Sequence, residues 1–266
     1  GSEMCIRDRL YAQLLKLAGV DHVLTVHNHS FSVQSTFREE FDGKFHNLIP
    51  YDIYVDYVLN SDIVDYGNQG EGLALCAPDK GAREFVKEMF SRLGLEKAKF
   101  LMLNKERLSE REVVIKVHDE SEASLEDIEG HDIVLFDDMV RTGSTVVKSC
   151  QLLKQVKPKK TVFALTHFYA SEEGRVKMAN TAIDEILSLN TIPTILNRDI
   201  QGRLRKKMVV LKIEKWLALN LCRILGVPQP ESGDSLYAID MSSKNLRWKK
   251  KIWLSEQLKS LHSVEG

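Results

Sequence analysis

IVLFDDMVRTGSTVVKSCQLLK, residues 133–154, decides how this sequence is read. An apolar run, Ile133 to Phe136, has the character of a buried strand and ends in two carboxylates, Asp137 and Asp138. A short polar loop follows, and helical spacing begins near Ser144. In parallel α/β sheets, ligands bind outside the carboxyl ends of the strands. The loop Arg141-Thr142-Gly143-Ser144-Thr145 falls at such an end. Its backbone N–H groups and the helix N-terminus suit a phosphate. Gly143 permits positive φ and close backbone approach. Thr142, Ser144 and Thr145 add hydroxyl donors. The two acids accept hydrogen bonds from vicinal sugar hydroxyls, each worth about 1.5–3 kcal/mol when charge-assisted. The alternative is a strand end with solvated acids and an ordinary helix cap. Two adjacent acids followed by T-G-S-T point instead to a sugar-phosphate site.

Working outward, strands and helices alternate. Helical spacing runs over residues 11–18 and stops at Gly19; residues 22–26 read as a strand and 51–59 as a helix. GLALCA, residues 72–77, is a compact apolar strand, and Pro78-Asp79-Lys80-Gly81 is its turn. Phe85, Val86, Met89, Phe90 and Leu93 have helical spacing within residues 82–93. Strands are expected at 98–103, 113–117, 131–136 and 161–166, and helices at 144–156 and 212–225, the last closed by Gly226. The alternation predicts an α/β fold with a mostly parallel sheet.

Lys+Arg is 37 and Asp+Glu is 38, a balance without the basic excess of a general nucleic-acid binder. Cys5, Cys76, Cys150 and Cys222 are widely spaced, as expected of reduced thiols in a cytoplasmic protein. No apolar run reaches the ~18 residues of a membrane span. Residues 1–9 show no clear periodicity and read as a tag or artefact. Past Val227 the composition shifts to a Pro, Ser and Gly linker and then a basic stretch with Trp248 and Trp253 nearby. That stretch is expected to dock as an amphipathic helix rather than bind nucleic acid.

The acid pair and T-G-S-T loop resemble the phosphoribosyl-binding motif of type I phosphoribosyltransferase folds. Within that group the chain is most similar to the ribose-phosphate pyrophosphokinases, also called phosphoribosyl pyrophosphate synthetases. HVLTVHNHSFSVQSTF resembles their metal-binding stretch, with His29 at the family's histidine. CAPDKGAREF resembles their pyrophosphate loop, here Asp79, Lys80, Gly81 and Ala82, with Asp79 at a metal-associated acid. NKERLSEREV resembles the start of their flexible catalytic loop, with Lys105 and Arg107 at the catalytic basic positions, although by itself this charged segment is an ordinary solvated loop. ALTHFYA and NTAIDEILSLNTIP resemble later strands of the same domain; His167, in the first, reads as structural. Three departures stand out: Arg141 for an Asp, Ser144 for a Gly and His27 for an Asp. Arg141 adds a cation beside the phosphate.

The resemblance implies a three-layer type I phosphoribosyltransferase domain over residues 56–226. Residues 10–55 would be the remnant of a second, similar domain, with a linker and tail at 227–266. It implies diphosphate transfer from ATP to C1 of ribose 5-phosphate, Mg²⁺ held with help from His29 and Asp79, a homo-oligomer, and no nucleic-acid or membrane partner. Because the family carries a further N-terminal half-domain, the chain is expected to be a fragment or short paralogue with an incomplete ATP site. Two other readings stay open. A salvage phosphoribosyltransferase explains Asp137 to Thr145 equally well but not Lys105, Arg107 and His29. A non-catalytic subunit of a synthetase accommodates the substitutions at His27 and Arg141.

Overall fold

The computed structural model describes residues 2–107, 113–179, 182–230 and 235–240. They divide into two compact units, the first ending at Pro50 and the second starting at Tyr51.

The first unit comprises helix α1 (Ser2–Leu17), strand β1 (Val23–Val26), helix α2 (Phe31–Glu40) and strand β2 (Phe45–Leu48). α1 begins well before residue 11, so residues 2–9 are part of a helix rather than a patternless lead. Arg9 joins that helix to α2 through Glu39 at 2.9 Å. Gly19, at φ 89°, turns the chain out of α1 as expected. β1 and β2 pair in parallel, Val23 opposite Phe45 and Val26 opposite Leu48. Ala12, Phe37, Phe41 and Phe45 form the core of this unit, with the Phe37 ring 5.7 Å from Phe45 and 6.1 Å from Phe41.

The second unit opens with helix α3 (Tyr51–Asn60), followed by β3 (Leu73–Ala77), α4 (Arg83–Leu93), β4 (Lys99–Arg107), β5 (Val113–Val117) and β6 (Asp132–Val140). Then come α5 (Ser144–Leu153), β7 (Lys160–Phe168), α6 (Glu172–Ala179), β8 (Glu185–Leu189), α7 (Arg198–Gln201), β9 (Met208–Lys212), α8 (Glu214–Leu225) and β10 (Ala238–Ile239). A boundary after residue 55 would cut α3, whose Ile53, Tyr54, Tyr57 and Val58 are all buried. Tyr54 packs edge-on against Phe85 and Phe136, so α3 belongs wholly to this unit.

The eight strands lie in the order β10-β9-β8-β7-β6-β3-β4-β5. The six from β9 to β4 are parallel, and β10 and β5 close the two edges antiparallel. β6 shows why the sheet is covered on both faces. Ile133 and Leu135 join a core with Val146, Cys150 and Leu153 of α5, while Phe136 turns to Tyr54 of α3 and Phe85 of α4. This is the three-layer α/β architecture expected from the sequence. The chain lays down β3 and β4 in one direction and then returns to place β6 on the other side of β3. The sheet therefore has a topological switch point between β3 and β6.

Two local expectations change. β6 does not stop before the acids but runs on to Val140, held by pairing of Asp137, Met139 and Val140 with Leu165, His167 and Phe168 of β7. Part of the tail after Val227 also joins the fold, because β10 extends the sheet edge through Ala238 and Ile239. The basic segment with Trp248 and Trp253 lies outside the described residues.

Candidate functional site

The switch point places two loops side by side. β3 and β6 pair in register, Cys76 opposite Leu135. Three residues past Cys76 comes Asp79, and two and three past Leu135 come Asp137 and Asp138. The carboxyl ends of the two central strands thus carry the turn at residues 78–81 and the acid pair as neighbours.

Each loop is built by its own side chains. Asp79 Oδ1 accepts from the N–H groups of Gly81, at 2.8 Å, and Ala82, at 3.3 Å, which closes the turn just before α4. A side chain at Gly81 would meet that carboxylate at 3.1 Å, so glycine leaves the turn its room. Across the switch, the N–H of Asp138 donates to Asp137 Oδ1 at 2.9 Å. Asp137 is held well above the usual carboxylate range. Burial is the main cause, and the charges of Asp138 and then Asp79 add to it. Electrostatically the three acids are one site.

The loop beyond β6 enters α5 through Gly143, whose φ of 70° lies in the left-handed region. No side chain caps α5. Val147 N–H donates to the Gly143 carbonyl at 3.0 Å, and Ser144 N–H has a long contact of 3.5 Å to Thr142 Oγ1. The first turn of α5 therefore presents backbone N–H groups and the Thr142, Ser144 and Thr145 hydroxyls together, a setting for an anion. Arg141 and Thr142 are exposed, and Ser144 and Thr145 half-buried.

Sequence reading missed what holds this loop from behind. Ser171 N–H donates to the Arg141 carbonyl at 2.9 Å, and Gly174 of α6 lies against the Arg141–Thr142 peptide. The available signal was Ser171 followed by Glu172 and Glu173, a helix-start pattern.

The other candidate residues are placed differently. Lys105 and Arg107 are not in a loop. They occupy the last turns of the pleat in β4, opposite Ile115 and Val113 of β5, because the β-branched run Val113-Val114-Ile115 pairs with them. Lys105 is exposed. The connection at 108–112, the rest of the expected catalytic loop, lies outside the described residues. His29 is exposed in the turn before α2, in the first unit, whereas Asp79 is in the second. The adjacent backbone is fixed by Asn28 N–H donating to Asn47 at 2.8 Å and by Ser30 capping α2. His27 is buried at φ 49°. His167 lies next to the end of β7 with Nδ1 2.8 Å from Thr191 Oγ1.

Among the described residues no three His, Cys, Asp or Glu side chains converge closely enough to hold a metal. The acids still fit Mg²⁺ in one respect. Asp79, Asp137 and Asp138 are oxygen donors; burial first, and then the charges of Asp138 and Asp79, raise Asp137, and a divalent cation bound by one or two carboxylates plus substrate phosphates would relieve the repulsion among them.

An open parallel sheet with an acid pair, an uncapped helix and a second loop gathered at its switch point defines a type I phosphoribosyltransferase-like domain. The model of the phosphoribosyl transferase domain matches residues 59–196, just over half of the chain, and the chain belongs to that family. It is 30% identical over 195 residues to ribose-phosphate pyrophosphokinase 2 of Saccharomyces cerevisiae, covering 73% of this chain and 55% of that protein. With the ribose-phosphate pyrophosphokinase of Pyrococcus abyssi it shares 33% over 160 residues, 60% of this chain and 50% of the relative. The chain thus spans about half the length of these relatives. The crystal structure of phosphoribosylpyrophosphate synthetase from Mycobacterium smegmatis superposes with a TM-score of 0.62 at 24% identity, covering 83% of this chain and 64% of that one, and shares its fold. No helix among the described residues is long and apolar enough to cross a membrane.

Proposed function

We propose that this chain carries the sugar-phosphate side of a site that forms phosphoribosyl pyrophosphate. The observation that carries the reading is the adjacency, across the β3–β6 switch, of the Asp79 loop and the Asp137–Asp138 pair, with the uncapped α5 beyond them. The 5-phosphate of ribose 5-phosphate caps α5 through the loop from Arg141 to Thr145. Asp137 and Asp138 accept hydrogen bonds from the ribose hydroxyls. The turn made by Asp79, Lys80, Gly81 and Ala82 receives the diphosphate being transferred.

ATP is the donor. The C1 oxygen of the sugar bonds to the β-phosphorus as the bond from that phosphorus to the α-phosphate bridging oxygen breaks. AMP leaves and the hydroxyl proton passes to solvent. Such transfers depend on positioning and charge neutralisation, the work assigned to Lys105 and Arg107. Bound Mg²⁺, with Asp79 as a candidate protein contact, would neutralise phosphate charge. The balanced composition and the ~30% identity to ribose-phosphate pyrophosphokinases support a cytoplasmic homo-oligomer acting on small molecules, with neither nucleic acid nor membrane as partner.

The test has two parts. Calorimetry with ribose 5-phosphate should show binding that Asp137→Ala with Asp138→Ala weakens at least several-fold; unchanged affinity removes the sugar contact. AMP release from ATP, with and without ribose 5-phosphate, tests the transfer. Phosphoribosyl transfer from phosphoribosyl pyrophosphate to a free base would identify a salvage enzyme instead. Sugar binding with no turnover, restored by a complete synthetase, would identify a non-catalytic subunit.

A further inference from the structure

We infer that helix α6 is the template that shapes the phosphate loop, with Ser171 and Gly174 as its positioning residues. The inference rests on the reading of residues 141–145 as the phosphate site and says what gives that loop its form.

Three contacts from one side of α6 meet three consecutive loop residues. Ser171, just before the helix, donates its N–H to the Arg141 carbonyl at 2.9 Å. Its hydroxyl accepts from Gly174 N–H at 3.1 Å and so caps the helix that the loop leans on. At Gly174 the two backbones nearly touch. A Cβ there would lie 3.0 Å from the Arg141 oxygen and 3.1 Å from both the carbon and the oxygen of Thr142. One helical turn on, Met178 packs against Gly143, where an added Cβ would meet its Cγ at 3.2 Å and the Gly174 oxygen at 3.4 Å. Residues 171, 174 and 178 share one helix face by their spacing of three and four.

This arrangement has a chemical consequence. A carbonyl oxygen turned toward a bound phosphate repels it. The Arg141 carbonyl is committed to Ser171, and the Gly143 carbonyl to Val147. The first is held away by the segment that opens α6 and the second by α5 itself, while the first N–H groups of α5 have no side-chain cap. The α6 side thus fixes the direction of the Arg141 carbonyl as well as the path of the loop. It also explains a glycine inside a short helix, a position where alanine would favour the helix more.

The test separates loop shape from ligand identity. Gly174→Ala, Gly174→Val, Ser171→Pro and Ser171→Ala are compared with the wild-type chain. Without ligand, the amide resonances of residues 141–145 should shift in Gly174→Ala, further in Gly174→Val, and in Ser171→Pro, which lacks the N–H. With ribose 5-phosphate or inorganic phosphate as probe, Gly174→Ala should lose on the order of tenfold in affinity and Gly174→Val up to a hundredfold, the scale of a small misplacement at a site. Ser171→Ala keeps the N–H but loses the hydroxyl that caps Gly174 N–H, so it should lower the thermal midpoint while shifting the loop resonances less than Ser171→Pro. The thermal midpoint of Gly174→Ala should hold or rise, since alanine favours helix. Unmoved loop resonances in both Gly174 variants would overturn the inference, as would affinity losses that merely track losses in stability. If the loop resonances move but the wild-type chain binds neither probe, α6 still shapes the loop and the sugar-phosphate reading fails instead.

Discussion

The phenol of Tyr237 donates a hydrogen bond to the carboxylate of Asp56 at 2.7 Å, joining α3 to a segment 181 residues further along the chain. The Tyr237 ring meets Tyr57 edge-on at 5.9 Å, and Ser235 donates to the Tyr237 carbonyl at 2.7 Å. Immediately after Tyr237 the chain becomes β10 and covers the edge of β9. Burial pushes the phenol far above its usual pKa, so the tyrosine remains a donor across the working pH range. Tyr237→Phe leaves a half-buried carboxylate without this donor and should cost about 1.5–3 kcal/mol, the scale of a hydrogen bond to a charged group. Urea denaturation should show a lower midpoint with an unchanged slope. Asp56→Ala should cost a similar amount, and the double variant less than the sum of the two.

Asp137 destabilises the free protein in the same measure as it readies the site. Its folded pKa lies above the unfolded value near 3.8, with burial first and the neighbouring acids second among the causes. As pH rises past the unfolded value, the unfolded chain ionises first and stability falls. The fall continues until pH passes the folded pKa, so the free protein is less stable at neutral pH than in acid on account of this group. Asp137→Asn removes the ionisation and keeps the shape. It should melt higher than wild type at pH 7 and at the same temperature near pH 3, while losing ribose 5-phosphate binding. Equal melting at both pH values would show that the acid is not strained.

Gly143 combines a φ of 70° with a close neighbour, Met178 Cγ at 3.2 Å from where a Cβ would stand. The left-handed conformation costs a non-glycine residue about 1–2 kcal/mol. Gly143→Ala should therefore lose at least that much stability. It should also weaken phosphate binding, because the strain falls at the entry to α5. Met178→Ala with Gly143→Ala relieves the contact but not the φ, so it should recover only part of the affinity.

The sheet and the acid-bearing loop were legible in the sequence because both are written locally. Apolar runs such as Leu73–Ala77 are buried at every position, and helix α4 has its buried residues at helical spacing. What escaped includes α2 and β2 in the first unit and α6, β9 and β10 in the second. α6 buries only Gly174 and Met178, so its sequence has almost no apolar periodicity, and its interior glycine argues against a helix. That glycine is explained only by a backbone more than thirty residues earlier in the chain. β9 is a short apolar run between the basic residues Arg205 to Lys207 and the helix α8, and its parallel partner β8 supplies the pairing that defines it. The acids were placed at the end of a strand because charge usually ends one. Pairing with β7 carries β6 through them.

In the proposed site Lys105 serves the pyrophosphate turn and not the sugar loop. In the β3–β4 register Ala77 is opposite Met102. Beyond that pair β3 gives way to the turn at residues 78–81, while β4 continues to Lys105 and Arg107. From β6, by contrast, β4 is two strands away, about 10 Å at the usual strand spacing. Lys105 is exposed, and the strand beside it is fixed by the Glu106–Lys116 ion pair. On the proposed reading its ammonium serves charge on the transferred diphosphate, so its effect would belong to the transition state and not to sugar recognition. Lys105→Ala should leave the calorimetric affinity for ribose 5-phosphate within about twofold of wild type. In a chain or assembly that supports turnover, it should lower sugar-dependent AMP release by on the order of a hundredfold or more, as for removal of one preorganised charge-stabilising group. Lys105→Arg should recover part of that loss, because the charge remains while its geometry changes. A large drop in sugar affinity for Lys105→Ala would instead place this residue in the sugar site and make the register argument wrong.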